Sequence, residues 1–170
     1  TNDLDNPLFS TQTIDVLRKV AKNTINPTKG MVIRLGMIYL DILHPDATFS
    51  SDKTNDYSIT NTIRYGDFKA IFFGDLELNI SERLIEESKI GTVDYIKISH
   101  HGSKNGTSEK LLQLLEPKTA VISVGKNSYG HPTKEILQML NTANIKILRT
   151  DEMGDVDYVV KNKQDRTVFW

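Results

Sequence analysis

The first half of the chain alternates apolar and polar residues, and this alternation predicts β-strands. Ile38, Leu40 and Ile42 alternate with Tyr39 and Asp41, as in a strand that buries one face. The Gly-Asp pair at 66–67 predicts a hairpin turn between two further runs of this kind. Strands are predicted over residues 31–35, 37–43, 57–65 and 68–73.

Beyond residue 75 the apolar residues recur at helical spacing between short apolar runs, which is typical of an α/β architecture. Ser81 is expected to be the N-cap of one helix, and Pro132 the first residue of another. Helices are predicted over 14–21, 81–89, 108–115 and 132–143, and strands over 95–99, 119–124, 145–149, 156–160 and 167–170.

The composition is that of an ordinary folded protein and removes several function classes. A chain of 170 residues without repeats or linkers is predicted to form a single α/β domain over residues 1–170. Because 21 Lys and Arg face 22 Asp and Glu, the net charge gives no strong grip on a nucleic-acid backbone. The absence of Cys excludes disulfides and thiolate chemistry, and no apolar run is long enough to span a membrane.

Residues with metal-binding side chains follow the ends of the predicted strands. Asp75 comes directly after one strand, His100 and His101 end another, and His131 precedes a helix. A carboxylate at a strand end can bridge two cations, and imidazoles are common metal ligands. Because His100 and His101 are adjacent in a segment predicted to be extended, their side chains should point to opposite faces. At most one of them is then placed to bind a given metal.

Each candidate also has a purely structural interpretation. Asp75 follows a Gly, which is most often a plain turn, and His131 could serve only in a turn and cap before Pro132. Lys126 and Asn127 could bind an anion or be solvated loop residues. His44, before Pro45, is more readily explained as a turn histidine than as a ligand.

Taken in order, these motifs resemble the metallo-β-lactamase superfamily, and more narrowly the hydrolase domain of ComEC-type competence proteins, which act in DNA uptake. The resemblance covers nearly the whole chain. The matching segments are Leu43–Pro45, Asn55–Ile59, Phe73–Glu77, Ser99–Ser103, Ser123–Asn127, Tyr129–Pro132 and Thr150–Gly154.

The resemblance implies an αββα sandwich with a dinuclear Zn or Mn site and water-driven hydrolysis of nucleic-acid phosphodiesters. DNA, single-stranded or duplex, would be the substrate and partner, and the location would be extracytoplasmic. Asp75 resembles the bridging carboxylate of the family, and His100 or His101 resembles its late histidine ligand. The loop over 123–131 matches a segment that flanks the substrate, where Lys126 and His131 would hold the phosphate.

One departure from the family is large: its principal motif, His-x-His-x-Asp-His, is absent from the sequence. The chain is therefore expected to be the C-terminal portion of such a hydrolase, incomplete on its N-terminal side. The parent protein would be an enzyme, whereas this segment would hold at most one loosely bound metal. The alternatives are hydrolysis of a lactone, thioester or other small ester, a non-catalytic binding module whose metal site has decayed, or a site completed by another chain or segment.

Overall fold

The computed structural model of the chain describes residues 15–16, 19–20 and 25–161. Most of the helix predicted over 14–21 and the whole strand predicted over 167–170 lie outside these residues. None of the described helices is both long and apolar enough to cross a membrane.

The described residues form a seven-stranded sheet whose spatial order equals the chain order. The first four strands pair antiparallel, whereas β5, β6 and β7 continue the sheet from β4 in parallel. The strands are β1 Val32–Leu35, β2 Ile38–His44, β3 Thr60–Tyr65, β4 Phe68–Phe72, β5 Tyr95–Lys97, β6 Thr119–Ile122 and β7 Lys146–Arg149. The predicted change from β-rich to α/β architecture is thus observed.

Helices follow or connect the parallel strands. They are α1 Leu78–Ser88, α2 Glu109–Leu115, α3 Lys134–Thr142 and the short α4 Thr150–Met153, with 3-10 turns at Thr54–Tyr57 and Ser99–Gly102. The segment 156–160, which was predicted to be a strand, has no regular structure. Its residues are mostly exposed and do not pair with a neighbouring strand among the described residues, as a β-strand requires.

Two predicted helix starts are wrong. The first turn of α1 begins three residues before Ser81, which is fully buried and whose hydroxyl donates to the carbonyls of Glu77 at 3.3 Å and Leu78 at 3.0 Å. At α3 the N-cap is Thr133, whose hydroxyl oxygen accepts from the backbone N–H of Ile136. Pro132 therefore lies outside the helix. In contrast, α2 agrees with the helix predicted over 108–115 to within one residue, and Ser108 is its N-cap.

The hydrophobic core lies between the helices and one face of the sheet. Ile71, Ile96 and Ala120 are in register on neighbouring strands, and each is completely buried. The helices contribute their apolar sides to the same cluster through Leu84 and Ile85, Leu111 and Leu115, and Ile136 and Leu140. This core fixes the ends of the parallel strands, from which the candidate site residues extend.

The other face of the sheet also carries apolar side chains but has a thinner cover. Phe68, Phe72 and Tyr95 lie there, and all three are partly exposed. The ring of Tyr158, from the segment after α4, packs 5.7 Å from Phe68 and 5.1 Å from Tyr95 between centroids. The described residues thus form one sheet, whereas the family resemblance implies a sandwich of two.

Candidate functional site

The candidate site residues gather where β4, β5 and β6 end. Because these strands are parallel, the loops that follow them lie at the same edge of the sheet. Asp75 comes from the first loop, His100 and His101 from the second, and His131 from the third. The structure therefore brings together four residues that are far apart in the sequence.

The turn that carries Asp75 is held from two sides. The backbone N–H of Asp75 donates to the hydroxyl of Ser58 at 3.0 Å. From the other side, the buried hydroxyl of Ser99 lies 3.2 Å from the carbonyl of Gly74 and 3.0 Å from that of Leu76. Gly74 has φ +63°, and a Cβ there would come within 2.8 Å of the Ser58 Cβ. The position of the carboxylate is therefore set by its backbone.

The two adjacent histidines do not lie in an extended segment, so that part of the prediction is wrong. His100 and His101 occupy a 3-10 turn with left-handed φ values of 48° and 55°. The chain has to turn at once because the His100 N–H donates to the Gly74 carbonyl at 3.0 Å. Backbone conformations of this kind cost of order 1–3 kcal/mol each for a residue with a side chain and are common at functional sites.

His101 is oriented toward Asp75 in a defined tautomer. Its Nδ1 lies 2.7 Å from the carbonyl oxygen of Ser123, and since a carbonyl only accepts, Nδ1 carries the proton. The lone pair of a neutral ring is then on Nε2, which lies 3.7 Å from Oδ1 of Asp75. A histidine fixed through Nδ1 by a carbonyl, with Nε2 free, is the usual arrangement of a metal ligand.

His100 is turned instead toward His131, with the ring centroids 5.9 Å apart. In both residues Nδ1 is buried and has no hydrogen-bond partner among the described residues. Burial lowers the pKa of His131, and the neighbouring imidazoles of His100 and His101 lower it further. Unsatisfied buried nitrogens are rare in native proteins, so each of these two atoms calls for a hydrogen-bond partner.

The loop with His131 is seated on the histidine turn through a contact between two backbones. A Cβ at Gly102 would lie 2.6 Å from the Pro132 Cβ and 3.0 Å from its Cα, so only glycine allows this approach. The N–H of Thr133 donates to the Gly102 carbonyl at 3.0 Å across the same contact. This packing is the reason why Pro132 lies outside α3.

Asn127 and Lys126, which lie in the same loop as His131, have different environments. The side-chain amide of Asn127 donates to the carbonyls of Gly125 at 2.9 Å and His131 at 2.8 Å. Its Oδ1 accepts from the N–H groups of Tyr129 and His131, both at 3.1 Å. Asn127 therefore holds the loop in shape and has no group left for an anion. Lys126 is exposed.

His44 belongs to a separate, structural cluster. Its Nε2 lies 2.7 Å from the carbonyl oxygen of Asp56, and its ring packs edge-on against Phe49 at 4.5 Å between centroids. The ring is buried, and burial lowers the pKa of His44. The structure thus agrees with the interpretation of His44 as a turn histidine.

Sequence reasoning missed Lys97, the last residue of β5. Its side chain is partly buried, and burial lowers its pKa while the negative charge of Asp75 acts in the opposite direction. The sequence feature that could have identified Lys97 is its position as a single cation inside the apolar run 93–98, shortly before the two histidines.

The described residues do not make up a complete metal site. Nε2 of His101 lies 3.7 Å from Oδ1 of Asp75, and both atoms are of the kind that binds metal. However, no group of three His, Asp or Glu side chains within 25–161 is placed to hold an ion. A zinc site in a hydrolase uses at least three protein ligands. These residues alone do not fit a complete metal site.

Comparison with solved structures defines the class of fold. CmlA, a diiron β-hydroxylase from Streptomyces venezuelae, superposes with a TM-score of 0.56 at 12% identity over 81% of this chain and 35% of that chain. A mutant of the CmlA β-hydroxylase gives 0.52 at 13% identity over 79% of this chain and 34% of that chain. The predicted metallo-β-lactamase-like α/β fold is confirmed.

Sequence comparison then points to competence proteins. ComE operon protein 3 of Bacillus subtilis is 36% identical over 136 residues, which is 79% of this chain. Competence protein ComA of Neisseria gonorrhoeae is 35% identical over 89 residues, and recombination protein 2 of Haemophilus influenzae is 29% identical over 103 residues. The chain spans only 17%, 13% and 13% of these three proteins in the order B. subtilis, H. influenzae and N. gonorrhoeae. No protein-family model matches it.

Proposed function

We propose that this chain is part of a metal-dependent hydrolase that cleaves phosphodiester bonds of DNA during DNA uptake. The proposal is carried by the pair Asp75 and His101, in which the Nδ1 hydrogen bond leaves Nε2 free beside a carboxylate. The metallo-β-lactamase-like fold and the similarity to competence and recombination proteins support it.

In this proposal Asp75 and His101 are the metal ligands that the described residues contribute. His101 is preferred over His100 because it faces Asp75 and has a carbonyl on its other nitrogen. A bound Zn or Mn ion would supply an activated water, as such ions do in other hydrolases. The further ligands would come from outside the described residues.

The same proposal assigns the phosphate to the other side of the turn. His100 and His131 have buried Nδ1 atoms without a hydrogen-bond partner among the described residues, and in the tautomer with the hydrogen on Nδ1 each ring can donate to a phosphate oxygen. Lys126, on the exposed loop nearby, would add a cation at the rim. An extracytoplasmic location is proposed with the DNA-uptake role.

A non-catalytic binding module is the second candidate. It is favoured by the incomplete donor set of the described residues. A hydrolase of a lactone or other small ester remains as the alternative enzyme, since the near-neutral net charge suits it as well.

Metal content and hydrolysis together test the proposal. After loading with Zn or Mn and desalting, elemental analysis of the protein with its upstream sequence restored should show metal that is lost in Asp75→Ala and His101→Ala. Hydrolysis of fluorescent single-stranded DNA should be lost in the same two variants. Asp67→Ala is the matched control, because Asp67 is exposed at the opposite end of β4.

The outcomes separate the candidates. Metal binding with turnover of a lactone but not of DNA would move the proposal to the small-ester hydrolases. Absence of metal in the restored protein would favour the binding module and refute the hydrolase.

A further inference from the structure

Lys97 is a cation placed among apolar side chains on the thinly covered face of the sheet. In the sheet register it lies between Phe72 of β4 and Val121 of β6, so its side chain shares a face with theirs. It is the last residue of β5, only three residues before His100. The side chain therefore begins at the edge where the candidate site lies.

The ammonium group of Lys97 has little compensation within the described residues. No carboxylate there lies within 4.0 Å of its Nζ, which donates a long hydrogen bond to the Ile98 carbonyl at 3.4 Å. Two other lysines are paired with carboxylates: Lys118 lies 2.5 Å from Asp94, and Lys110 lies 2.7 Å from Glu86. A half-buried charge without an opposite charge beside it costs stability, so the packing of the sheet does not explain Lys97.

The charge that favours Lys97 most is that of Asp75, which belongs to the candidate site. A metal held by Asp75 would neutralise that carboxylate and leave the lysine still less compensated. Lys97 would then need a second anion, beside the Asp75 carboxylate, to balance its charge. A lysine with its ammonium partly removed from water binds an anion more strongly than an exposed lysine such as Lys126.

We propose that Lys97 binds an anionic oxygen of the substrate, which, if the proposed function holds, is a non-bridging oxygen of the DNA phosphodiester. This inference rests on the proposed function for the identity of the substrate. It rests on the placement of Lys97 for the contact itself. Lys97 is then a substrate-binding residue that the sequence motifs did not reveal.

Binding of a short fluorescent oligothymidylate to this chain, measured at several salt concentrations, tests the contact. Lys97→Met should weaken binding about tenfold and reduce the salt slope by about 0.7, the share of one phosphate contact on a single strand. Lys97→Arg should keep most of the affinity because it keeps the charge. Lys146→Met is the matched control, since Lys146 is an exposed cation at the start of β7.

The thermal midpoint of the same variants gives the second readout. Lys97→Met should unfold at the same temperature as the parent or higher, because the change removes an unpaired charge from an apolar face. A large fall in that midpoint would show that Lys97 has a structural role and would overturn the inference. Equal affinities and equal salt slopes for Lys97→Met and the parent chain would also overturn it.

Titration with inorganic phosphate, followed by the NMR signal of the Lys97 side chain, separates this inference from the proposed function. If phosphate binds and shifts that signal while the oligonucleotide does not bind, the assignment of Lys97 stands and DNA is the wrong substrate. If neither binds to the parent chain, the inference is refuted.

Discussion

The candidate site depends on the close packing of Gly102 against Pro132, which leaves no room for a side chain at residue 102. In Gly102→Ala the new Cβ would meet Pro132 Cβ at 2.6 Å, Pro132 Cα at 3.0 Å and Ile122 Cγ2 at 3.4 Å. Two of these atoms belong to a proline, which has no flexible end to move away. The residue also has φ +85°, a conformation that side-chain residues rarely adopt.

The magnitude follows from three contributions. Left-handed backbone costs about 1–2 kcal/mol for an alanine, and overpacking costs about 1–3 kcal/mol. The smaller entropy of the unfolded alanine chain offsets about 0.4–1 kcal/mol. Gly102→Ala should therefore lower the free energy of unfolding by about 1–5 kcal/mol, with a middle value of about 3 kcal/mol, which is several degrees in the thermal midpoint.

Two glycines of the loop that packs against Gly102 separate the contributions. Gly130 has φ +75° but nothing within 4 Å of an added Cβ, so Gly130→Ala should show the backbone cost alone. Gly125 has neither a neighbour within 4 Å nor a positive φ, so Gly125→Ala should be neutral or slightly stabilising. Urea unfolding of the three variants measures the series. If Gly102→Ala costs no more than Gly130→Ala, the close packing of the two loops is refuted.

Two further variants examine what holds the site and the loop before it. Ser58→Ala removes the acceptor of the Asp75 N–H and should lower the free energy of unfolding by about 1 kcal/mol in urea. The same change at the exposed Ser50 should have no effect, and equal effects would contradict the role of Ser58. Because burial lowers the pKa of His44, the unfolded chain binds a proton more readily than the folded one. Stability should thus be complete above the ordinary histidine pKa of about 6.5 and fall as the pH drops through it. His44→Gln should make this fall smaller between about pH 8 and about pH 5, and equal pH slopes would count against the explanation.

The strands could be predicted from the sequence because their signal is local. The alternation around Leu40 lies in β2, and the predicted hairpin turn comes directly before β4, which begins at Phe68. Helix starts were less accessible, since they depend on contacts across the fold. Ser81 has the residue type of an N-cap, yet the helix begins earlier in the chain, where Leu76 and Ile80 are buried in the core. Burial of this kind cannot be predicted from the residues around Ser81 alone.

The candidate site was predictable in its members and not in its geometry. Asp75 and the two histidines were found because strand ends carry them. The left-handed turn at 99–102 was missed since it is imposed by the carbonyl of Gly74 and by Pro132, which lie far away in the sequence. Lys97 was overlooked because an isolated cation in a strand has many bland explanations, and only the register shows its apolar neighbours.

The contacts that shape the site are distinct from the groups that would act in it. The three loops are joined through backbone atoms and small buried groups, as in the hydrogen bonds of Ser99 and the approach at Gly102. Asp75 and His101, in contrast, have side chains that are 37% and 49% exposed and contribute little packing. Replacing these two should therefore remove the chemistry while leaving the fold intact, whereas a change at Gly102 should damage both. A loss of stability in Asp75→Ala comparable to that in Gly102→Ala would show that the carboxylate itself holds the loops together, and the separation of scaffold from chemistry would then fail.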